Sequence, residues 1–217
     1  MAIVLLSGGQ DSATALLWAL ENLPSPIHAL TFLYGQRHEI ELQSARRIAA
    51  HLGVSHAVID LGQLWDALSV KTALTHEAPL SYTPEGLPTT FVPGRNLIFL
   101  TAAAIWGYPR DESDLVIGVS QVDYSGYPDC RAPFIEAAQK TLSEALARPI
   151  RIHAPFLYMD KAQLWKYADE LGYREFIAEE THTCYLGRRE VRHPWGYGCG
   201  ECPACQLRKA GYEAAFG

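Results

Sequence analysis

A-I-V-L-L-S-G-G-Q-D-S, residues 2–12, is the stretch of sequence that decides the fold. The apolar residues 2–6 predict a buried strand, and a helical pattern that begins at Ser12 follows almost at once. Two adjacent glycines permit a tight turn between these elements. Because the first turn of a helix has free N–H groups that favour anions, we interpret the turn as a phosphate-binding loop. It lacks the lysine and the spacing of G-x-x-x-x-G-K-[ST], which disfavours ordinary kinase chemistry.

Strands and helices alternate along the rest of the chain, which is typical of a parallel α/β sheet. Beyond the first strand, the pattern predicts strands at residues 28–34, 57–61, 115–119 and 150–154. Helices are predicted at residues 12–22, 39–52, 97–107 and 133–146, and from residue 161. We therefore expect a doubly wound, five-stranded parallel sheet. The expected domains are a nucleotide-binding α/β domain over residues 1–175 and a small cysteine-rich, zinc-binding region over residues 176–217.

Composition and charge narrow the classes of function. The chain has 217 residues, 48% of them hydrophobic, and a formal net charge of −6. It is long enough to bury a substantial core, and its acidic balance argues against a nucleic-acid partner. Its first residues form a strand, and no apolar run approaches the ~18–20 residues that span a bilayer. We therefore expect a cytoplasmic protein with no membrane partner.

A polar loop follows the second predicted strand, at the end of the sheet where parallel strands bind ligands. Its sequence, Y-G-Q-R-H over residues 34–38, makes it a candidate place for adenosine. Tyr34, Gln36 and Arg37 are the candidate substrate contacts within it. The alternative is an ordinary loop that supplies the next helix with an N-cap.

A proline-rich segment with no sustained periodicity begins near residue 70 and closes at about residue 96. Long irregular segments inside compact domains are usually functional or disordered, and we interpret this one as a substrate lid. Arg95 and Asn96 end it at the start of a strongly apolar helix. They either bind an anion of the substrate or remain solvated groups at a helix end.

The loop after the fourth predicted strand is polar and aromatic. A flat ring could stack on Tyr124, and the carboxylates of Asp123 and Asp129 could accept the N–H donors of a guanine-like edge. Arg131, at the end of the loop, is a further candidate substrate contact. The alternative is a loop that only caps the next helix.

Lys161 opens the helix after the fifth predicted strand and therefore faces the same end of the sheet. A cation at this place could stabilise the negative charge of a leaving pyrophosphate. The alternative is a surface lysine without such a role.

Four of the five cysteines gather near the C-terminus, at Cys184, Cys199, Cys202 and Cys205. In a reducing compartment this grouping indicates metal ligation, and four thiolates suit a structural zinc ion. The C-x-x-C-x-x-C spacing also occurs in ferredoxins, so an iron–sulfur cluster remains the alternative. Cys130 stands apart, and we expect it to be a packed residue and not a nucleophile.

The S-G-G-x-D-S spelling of the first loop resembles the PP-loop of the ATP pyrophosphatases, which adenylate a substrate and release pyrophosphate. The resemblance implies that the hydroxyls of Ser7 and Ser12 and the N–H groups of residues 8–12 hold the phosphates. Asp11 would then cap the helix or help to position a magnesium ion. Ser12, Asp11 and Lys161 are the candidate catalytic or phosphate-stabilising residues. The alternative is a glycine turn with a simple N-cap.

Over nearly its whole length the chain resembles the 7-cyano-7-deazaguanine synthase family. The motifs that carry the resemblance are L-S-G-G-Q-D-S from Leu6, Y-G-Q-R-H from Tyr34, F-V-P-G-R-N from Phe91, D-Y-S-G-Y-P-D-C-R from Asp123 and C-G-E-C-P-A-C from Cys199. The resemblance implies an adenine nucleotide alpha hydrolase-like fold. It also implies ATP binding by Leu6, Ser7, Gly8, Gly9, Gln10, Asp11, Ser12, Ala13, Thr14, Ala15 and Leu16.

The activity implied by this resemblance is that of a ligase in the formation of the queuosine precursor. It would convert 7-carboxy-7-deazaguanine, ATP and ammonia to 7-cyano-7-deazaguanine through an amide, with adenylation at each stage. One zinc ion per subunit and a homodimer are further implications. Two alternatives stay open: a PP-loop enzyme that modifies a protein with the adenylated deazapurine, and a tRNA-modifying PP-loop enzyme.

Overall fold

The computed structural model describes residues 1–35, 40–76, 79–84, 86–122 and 127–217. Within them, five parallel strands form one sheet in the order β3-β2-β1-β4-β5. The strands are β1 (Ala2–Leu5), β2 (Ile27–Leu33), β3 (Ser55–Asp60), β4 (Asp114–Ile117) and β5 (Arg151–His153). This confirms the predicted five-stranded parallel sheet, with strand boundaries that differ from the predicted ones by a few residues.

The helices follow the predicted alternation, with several additions. They are α1 (Gln10–Asn22), α2 (Ile40–His51), α3 (Gly62–Ala67), α4 (Arg95–Gly107), α5 (Ala132–Ala145), α6 (Lys161–Glu170), α7 (Arg174–Glu180) and α8 (Pro203–Phe216). A two-stranded hairpin, β6 (Arg192–His193) and β7 (Gly196–Tyr197), precedes α8. Helix α1 begins at Gln10, before the predicted Ser12, and α3, α7, α8 and the hairpin lack a predicted counterpart. No helix in the described ranges is long and apolar enough to cross a membrane.

Helices cover both faces of the sheet, and β1 shows why its sequence is apolar throughout. Ala2 and Val4 belong to the hydrophobic core on the side of α1, α2 and α6 to α8. Ile3 and Leu5 belong to the core on the side of α4 and α5. A strand that is buried on both faces reads as a continuous apolar run and not as an alternating one.

The C-terminal region packs into the first of these cores. Trp195 and Cys205 join the same cluster as Val4, and the Trp165 ring of α6 lies wholly buried within it. A Cβ placed on Gly211 of α8 would lie 2.3 Å from the Cβ of Lys161, so α8 lies directly against the start of α6. The C-terminal region therefore helps to position the first residue of α6.

The order of the strands determines where a ligand can bind. The chain moves outward from β1 on one side to β2 and β3, and on the other to β4 and β5. Such a reversal opens a crevice at the carboxyl ends of the two central strands. Just after β4, a Cβ on Gly118 would lie 2.6 Å from the carbonyl oxygen of Asp11, so the strand end lies against the first turn of α1. The loop after β1 and the loop after β4 thus meet.

The buried side chain of Asp114 links β4 to the neighbouring edge strand, β5. Asp114, at the start of β4, accepts hydrogen bonds from Arg151 Nε and Nη2 at 2.7 and 2.6 Å, and lies 2.7 Å from His153 Nε2. The hydrogen bond from Arg151 is the main cause that holds the pKa of Asp114 below its ordinary value of 3.8. A depressed pKa adds stability above the ordinary value, and this stability is lost as the pH falls through the folded-state value.

We therefore predict that Asp114→Asn lowers the melting temperature at pH 7 by about 2–6 °C, the scale of one lost charge-assisted hydrogen bond in a chain of this length. The difference from the wild type should be smaller near pH 3, because the stability that a carboxyl group with a depressed pKa contributes is progressively lost below its ordinary value of 3.8. Thermal unfolding at the two pH values measures this. Asp111→Asn, at a side chain that is 94% exposed, is the control and should change little. An equal loss at both pH values would contradict the proposed role of the ionised carboxylate.

Candidate active site

A cavity of about 290 Å³ opens at the carboxyl ends of β1, β2 and β4. The predicted nucleotide-binding residues that line it are Leu6, Ser7, Gly9, Gln10, Asp11 and Ser12. Gly8, Ala13, Thr14, Ala15 and Leu16 are buried beside them but are not among the lining residues. The start of α1 therefore faces the cavity, whereas its later residues pack in the core.

Hydrogen bonds within the first loop fix its two serine hydroxyls. Ser12 Oγ accepts a hydrogen bond from Ser7 N–H at 3.1 Å, donates to the Gly9 carbonyl at 3.1 Å and lies 2.9 Å from Ser7 Oγ. Both hydroxyls consequently stand at the beginning of α1, where the first N–H groups have no partner inside the helix. An anion at this position would meet hydroxyl donors, backbone donors and the positive end of the helix dipole.

The same loop is held from two sides at Gly8. Gly8 has a φ of +89°, and a Cβ there would lie 2.2 Å from the carbonyl oxygen of Glu41 in α2. On the other side, His182 N–H donates a hydrogen bond to the Gly8 carbonyl at 2.9 Å. Glycine is therefore required both by the backbone conformation and by the close approach of α2.

Asp11 and Lys161 form an ion pair on the wall of the cavity. Lys161 Nζ lies 2.6 Å from each carboxylate oxygen of Asp11. The N-cap of α1 is Gly9, so the expectation that Asp11 caps the helix is wrong, and so is the alternative of a simple N-cap by Asp11 or Ser12. Lys161 is held at the start of α6 by a capping box, in which Asp160 and Gln163 bond each other's backbone N–H.

Aromatic and charged side chains form the opposite end of the cavity. The guanidinium carbon of Arg95 lies 5.9 Å from the ring centre of Tyr34 and 5.8 Å from that of Tyr127. Glu41 lines the same cavity, and burial raises its pKa to about 7, although the charge of Arg95 acts in the opposite direction. At neutral pH this carboxyl group is therefore able to accept or to donate a hydrogen bond.

Asn96 and Asp129, two predicted substrate contacts, bond to each other. Asn96 N–H donates to Asp129 Oδ2 at 3.1 Å, and Asn96 Nδ2 donates to the Asp129 carbonyl at 3.0 Å. Asp129 thereby binds the first turn of α4 and does not line the cavity, whereas Asn96 does. Arg131 is exposed at the N-cap of α5. The predicted contacts Gln36, Arg37, Asp123 and Tyr124 lie outside the described residues.

The predicted lid closes against the aromatic end of the site. Val92 is buried in a small cluster with Tyr34 and Trp65, and Leu74 packs against this cluster and lines the cavity. The hydroxyls of Thr90 and Tyr127 lie 2.6 Å apart. These contacts place both ends of the segment beside the cavity, and its role as a lid remains a prediction.

His182 and Arg208 are among the residues of the C-terminal region that line the cavity and that sequence reasoning missed. Each is 1% exposed. Arg208 donates from Nε to the Trp195 carbonyl at 2.7 Å and from Nη2 to the Ile177 carbonyl at 2.9 Å. No local pattern in the sequence indicates that Arg208 is buried, since its only distinguishing feature is its position three residues after Cys205.

The four C-terminal cysteines form a group that could hold a metal ion. The sulfur atoms of Cys184, Cys199, Cys202 and Cys205 all lie within 4.8 Å of one another. A tetrahedral zinc ion with Zn–S bonds of about 2.3 Å requires sulfurs roughly 3.8 Å apart. The Cys199 and Cys205 sulfurs are 3.8 Å apart, and Cys199 Sγ also accepts a hydrogen bond from Cys202 N–H at 3.2 Å. The donor set and its spacing therefore fit a single metal ion.

Cys130 lies outside this group and is packed in the second core, as predicted. Burial raises the pKa of its thiol to about 12, and the charge of Asp129 acts in the same direction. A thiol with such a pKa remains protonated at neutral pH, and the thiolate is the reactive form. The structure therefore argues against Cys130 as a nucleophile.

Comparison with known proteins now identifies the family. Residues 1–216 match the model of the family described as queuosine biosynthesis protein QueC. The chain belongs to this family. The 7-cyano-7-deazaguanine synthase of Hyphomonas neptunium is 50% identical over 98% of this chain and 93% of that protein. The 7-cyano-7-deazaguanine synthase of Halorhodospira halophila is 47% identical over 98% of this chain and 90% of that protein.

Solved structures with a similar fold are more distant. The NH3-dependent NAD synthetase of Campylobacter jejuni aligns with a TM-score of 0.52 and 16% identity, over 81% of this chain and 66% of that one. The NMN synthetase of Francisella tularensis aligns with a TM-score of 0.50 and 15% identity, over 81% of this chain and 63% of that one. At this level of identity the likeness shows that the QueC-family chain shares their α/β fold.

We predict that Gly8→Ala destabilises this QueC-family chain more than Gly53→Ala. Both glycines have positive φ, at +89° and +65°, but a Cβ on Gly53 would meet nothing within 4 Å. Gly53→Ala should cost the ~1–2 kcal/mol of a left-handed Cβ, and Gly8→Ala should add the ~1–3 kcal/mol of an overpacked contact. Chemical denaturation of both variants measures the difference. Equal losses would show that the approach of α2 to Gly8 is not close.

Proposed function

We propose that this QueC-family protein is a 7-cyano-7-deazaguanine synthase, a ligase that converts 7-carboxy-7-deazaguanine, ATP and ammonia to the nitrile used for queuosine. Its family and its near relatives support this activity. The observation that carries the chemistry is the loop of residues 7–12, which presents two fixed hydroxyls and the start of α1 to a cavity with an aromatic, charged opposite end. No observation favours the protein-modifying or tRNA-modifying alternative.

The first step solves a chemical problem, because a carboxylate is a poor electrophile whose oxygen does not leave when ammonia attacks. In our proposal a carboxylate oxygen attacks the α-phosphorus of ATP, which forms the acyl adenylate and breaks the bond to pyrophosphate. The loop, with Ser7 and Ser12, binds the departing phosphates, and Lys161 offsets their charge beside Asp11. Ammonia then attacks the carbonyl carbon, AMP leaves, and the amide forms after loss of a proton.

The second step repeats the activation on the amide. The amide oxygen attacks the α-phosphorus of a second ATP, and pyrophosphate leaves again. Loss of the adenylated oxygen as AMP, with loss of the remaining N–H protons, leaves the carbon–nitrogen triple bond. Because both steps use the same leaving groups, one phosphate-binding loop serves both, and two ATP molecules become two AMP and two pyrophosphates per nitrile.

We place the deazapurine at the end of the cavity with Tyr34 and Tyr127, whose rings offer flat surfaces near Arg95. Arg95 is suited to the substrate carboxylate, and Glu41 is suited to the polar edge of the ring because its carboxyl group titrates near neutral pH. Asn96, Asp129 and Arg131 contribute less in this arrangement, since the first two bond to each other and Arg131 is exposed.

The decisive test is product analysis with purified protein, ATP, ammonium and 7-carboxy-7-deazaguanine. Mass spectrometry should show the nitrile, and nucleotide analysis should show AMP and pyrophosphate. Glutamine should not replace ammonium, because the thiol of Cys130 is protonated and the other four cysteines belong to the metal-binding group. Accumulation of ADP and phosphate in step with nitrile would refute the proposed chemistry.

We further propose that Ser12→Ala lowers kcat by about 10²–10³, the usual cost of one lost charge-stabilising donor, and leaves the fold intact. Ser143→Ala is the matched control, because Ser143 Oγ donates to the Gln139 carbonyl and accepts from Ile150 N–H but lies away from the cavity. Steady-state kinetics and circular dichroism of both variants measure this. If Ser12→Ala kept the wild-type kcat, the Ser12 hydroxyl would have no role in the reaction.

The metal that we propose for the cysteine group is zinc, one ion per subunit. In a [4Fe–4S] cluster each thiolate binds a different iron atom, and in a [2Fe–2S] cluster two thiolates bind each of two irons, so the four sulfurs surround a unit larger than a single ion. Sulfurs within 4.8 Å of one another suit a single tetrahedral ion better. Held by four thiolates, the ion would brace the C-terminal region and would leave no open position for substrate.

We predict about one zinc per purified chain and a colourless protein. Cys202→Ser should lower both the zinc content and the melting temperature, because metal affinity and local folding are linked. Cys130→Ala, at a buried cysteine outside the group, should keep its zinc. Elemental analysis and thermal unfolding measure both effects. A brown protein with visible charge-transfer bands would instead support the iron–sulfur alternative.

Three finer expectations complete the proposal. Magnesium would accompany ATP, and Asp11 is its candidate ligand, although its carboxylate also pairs with Lys161. A homodimer is implied by the family resemblance, and light scattering after gel filtration tests it. A cytoplasmic location suits both an ATP substrate and four reduced thiolates.

A further inference from the structure

Arg208 is a buried cation whose hydrogen-bond partners are neutral. It is 1% exposed. It donates to the carbonyls of Trp195 and Ile177 and, at 3.4 Å, to Thr183 Oγ1. Within the described chain it forms no ion pair with a carboxylate. Burial of a guanidinium without a countercharge is costly, so its retention in the core calls for a physical reason.

The position of Arg208 suggests that reason. It lines the cavity together with Gly9 and Thr183, and a Cβ on Gly9 would lie 3.7 Å from the methyl group of Thr183. Arg208, Thr183 and the phosphate-binding loop therefore lie next to one another along one wall of the cavity. An arginine has five N–H donors, and these three bonds leave two of them without a partner among the residues that the structure describes.

A second buried polar group, the ring of His182, lies on the same wall. His182 is 1% exposed and lines the cavity. Neither of its ring nitrogens has a well-aligned hydrogen-bond partner among the described residues, and only the backbone of Cys184 acts weakly on the ring. Buried polar atoms in native proteins are nearly always satisfied, and an unsatisfied one beside a cavity indicates that a ligand supplies the bond.

The balance of charge at the loop points to an anion. Arg95, Lys161 and Arg208 are the cations among the described residues that line the cavity. Lys161 is paired with Asp11, and Arg95 lies between the two tyrosines at the opposite end. Beside the loop, Arg208 has no carboxylate in direct contact among the described residues, and the negative groups that act on its charge from further away are Cys205 and Asp11.

We propose that Arg208 binds the pyrophosphate group of the nucleotide, beside His182 and the start of α1, and is thus a binding residue that the C-terminal region supplies to the phosphate site. This inference rests on the proposed function insofar as pyrophosphate is the leaving group. Guanidinium–phosphate pairs are strong and directional, and a dry, pre-formed wall gains most from them. Pyrophosphate would also supply an anion in direct contact with Arg208, whose present hydrogen-bond partners are neutral.

A purely structural role is the competing explanation, because Arg208 also holds the carbonyls of the hairpin and of α7 in place. Arg189 offers a matched control. It is half-buried and donates hydrogen bonds to the carbonyls of Thr181 and Glu179. Its guanidinium carbon lies 4.4 Å from the centre of the Tyr197 ring, and it does not line the cavity. A structural arginine should affect stability alone, whereas Arg208 should also affect the affinity for an anion.

The test is calorimetric titration of the purified protein and of the Arg208→Met and Arg189→Met variants with inorganic pyrophosphate. Both variants are expected to melt earlier than the wild type. Arg208→Met should bind pyrophosphate at least about tenfold more weakly, as expected for the loss of a charge-assisted hydrogen bond, and Arg189→Met should bind it like the wild type. Equal affinity in all three proteins, or equal weakening in both variants, would overturn the inference.

If Arg208→Met does not fold, the crystal structure of the wild-type protein grown with pyrophosphate decides the question. A phosphate oxygen within about 3.2 Å of an Arg208 Nη atom supports the inference, and pyrophosphate bound without such a contact overturns it. The outcome is separate from that of the proposed function. Pyrophosphate binding that depends on Arg208, in a protein that makes no AMP, would refute the function alone. AMP formation with unchanged pyrophosphate affinity in Arg208→Met would refute the inference alone.

Discussion

The hydrogen bond from His182 N–H to the Gly8 carbonyl joins the first loop of the chain to its C-terminal region, and the rest of the site depends on it. The loop between β1 and α1 could form locally, since its own serine bonds need only residues 7–12. The cavity wall beside the loop cannot form locally, because His182, Thr183 and Arg208 come to line it only when the C-terminal region packs against the sheet. The buried Trp165 and the close approach of Gly211 to Lys161 hold that region against α6. The metal-binding cysteines belong to the same core, so their ligation and the shape of the cavity are physically connected.

The Asp11–Lys161 pair illustrates how charge is used here. Its side chains are 31% and 11% exposed, so the attraction acts in a partly desolvated site. At an effective dielectric constant near 20, two unit charges about 4 Å apart attract by ~4 kcal/mol. Desolvation costs several kcal/mol per ion and largely cancels that gain. The pair therefore contributes little net stability, and its value lies in holding a cation beside the loop at a defined place.

The sequence predicted those features that depend on local spacing. The apolar run of β1, the two glycines and the cysteine spacing each describe a short segment, and each predicts an element or a metal-binding group that the structure contains. It could not predict the role of Asp129, because a carboxylate that binds the start of α4 from a distant loop has no local pattern. Arg208 was missed for the same reason: on its own helix it reads as a solvated residue, and only the fold shows that it is buried. Helix α1 begins at Gln10 and not at the predicted Ser12. The start was missed because the N-cap, Gly9, has no side chain that the sequence would mark as a capping residue.

The two ends of the cavity face different chemical demands in the proposed reaction. Both adenylations would release the same pyrophosphate, so the loop end needs fixed donors and fixed positive charge, which residues 7–12, Lys161 and Arg208 would supply in our proposal. The acceptor changes between the steps from a carboxylate to a neutral amide, so a fully charged and rigid opposite end would favour one of them. Glu41 is suited to this change, since a carboxyl group whose pKa burial raises to about 7 gains or loses its proton at little cost near neutral pH. In the proposed arrangement, protonated Glu41 would leave the charge of Arg95 available to the acid, whereas ionised Glu41 would partly offset that charge when the neutral amide is bound. A single site could in this way bind both the carboxylate and the amide, while the leaving group, pyrophosphate, stays the same.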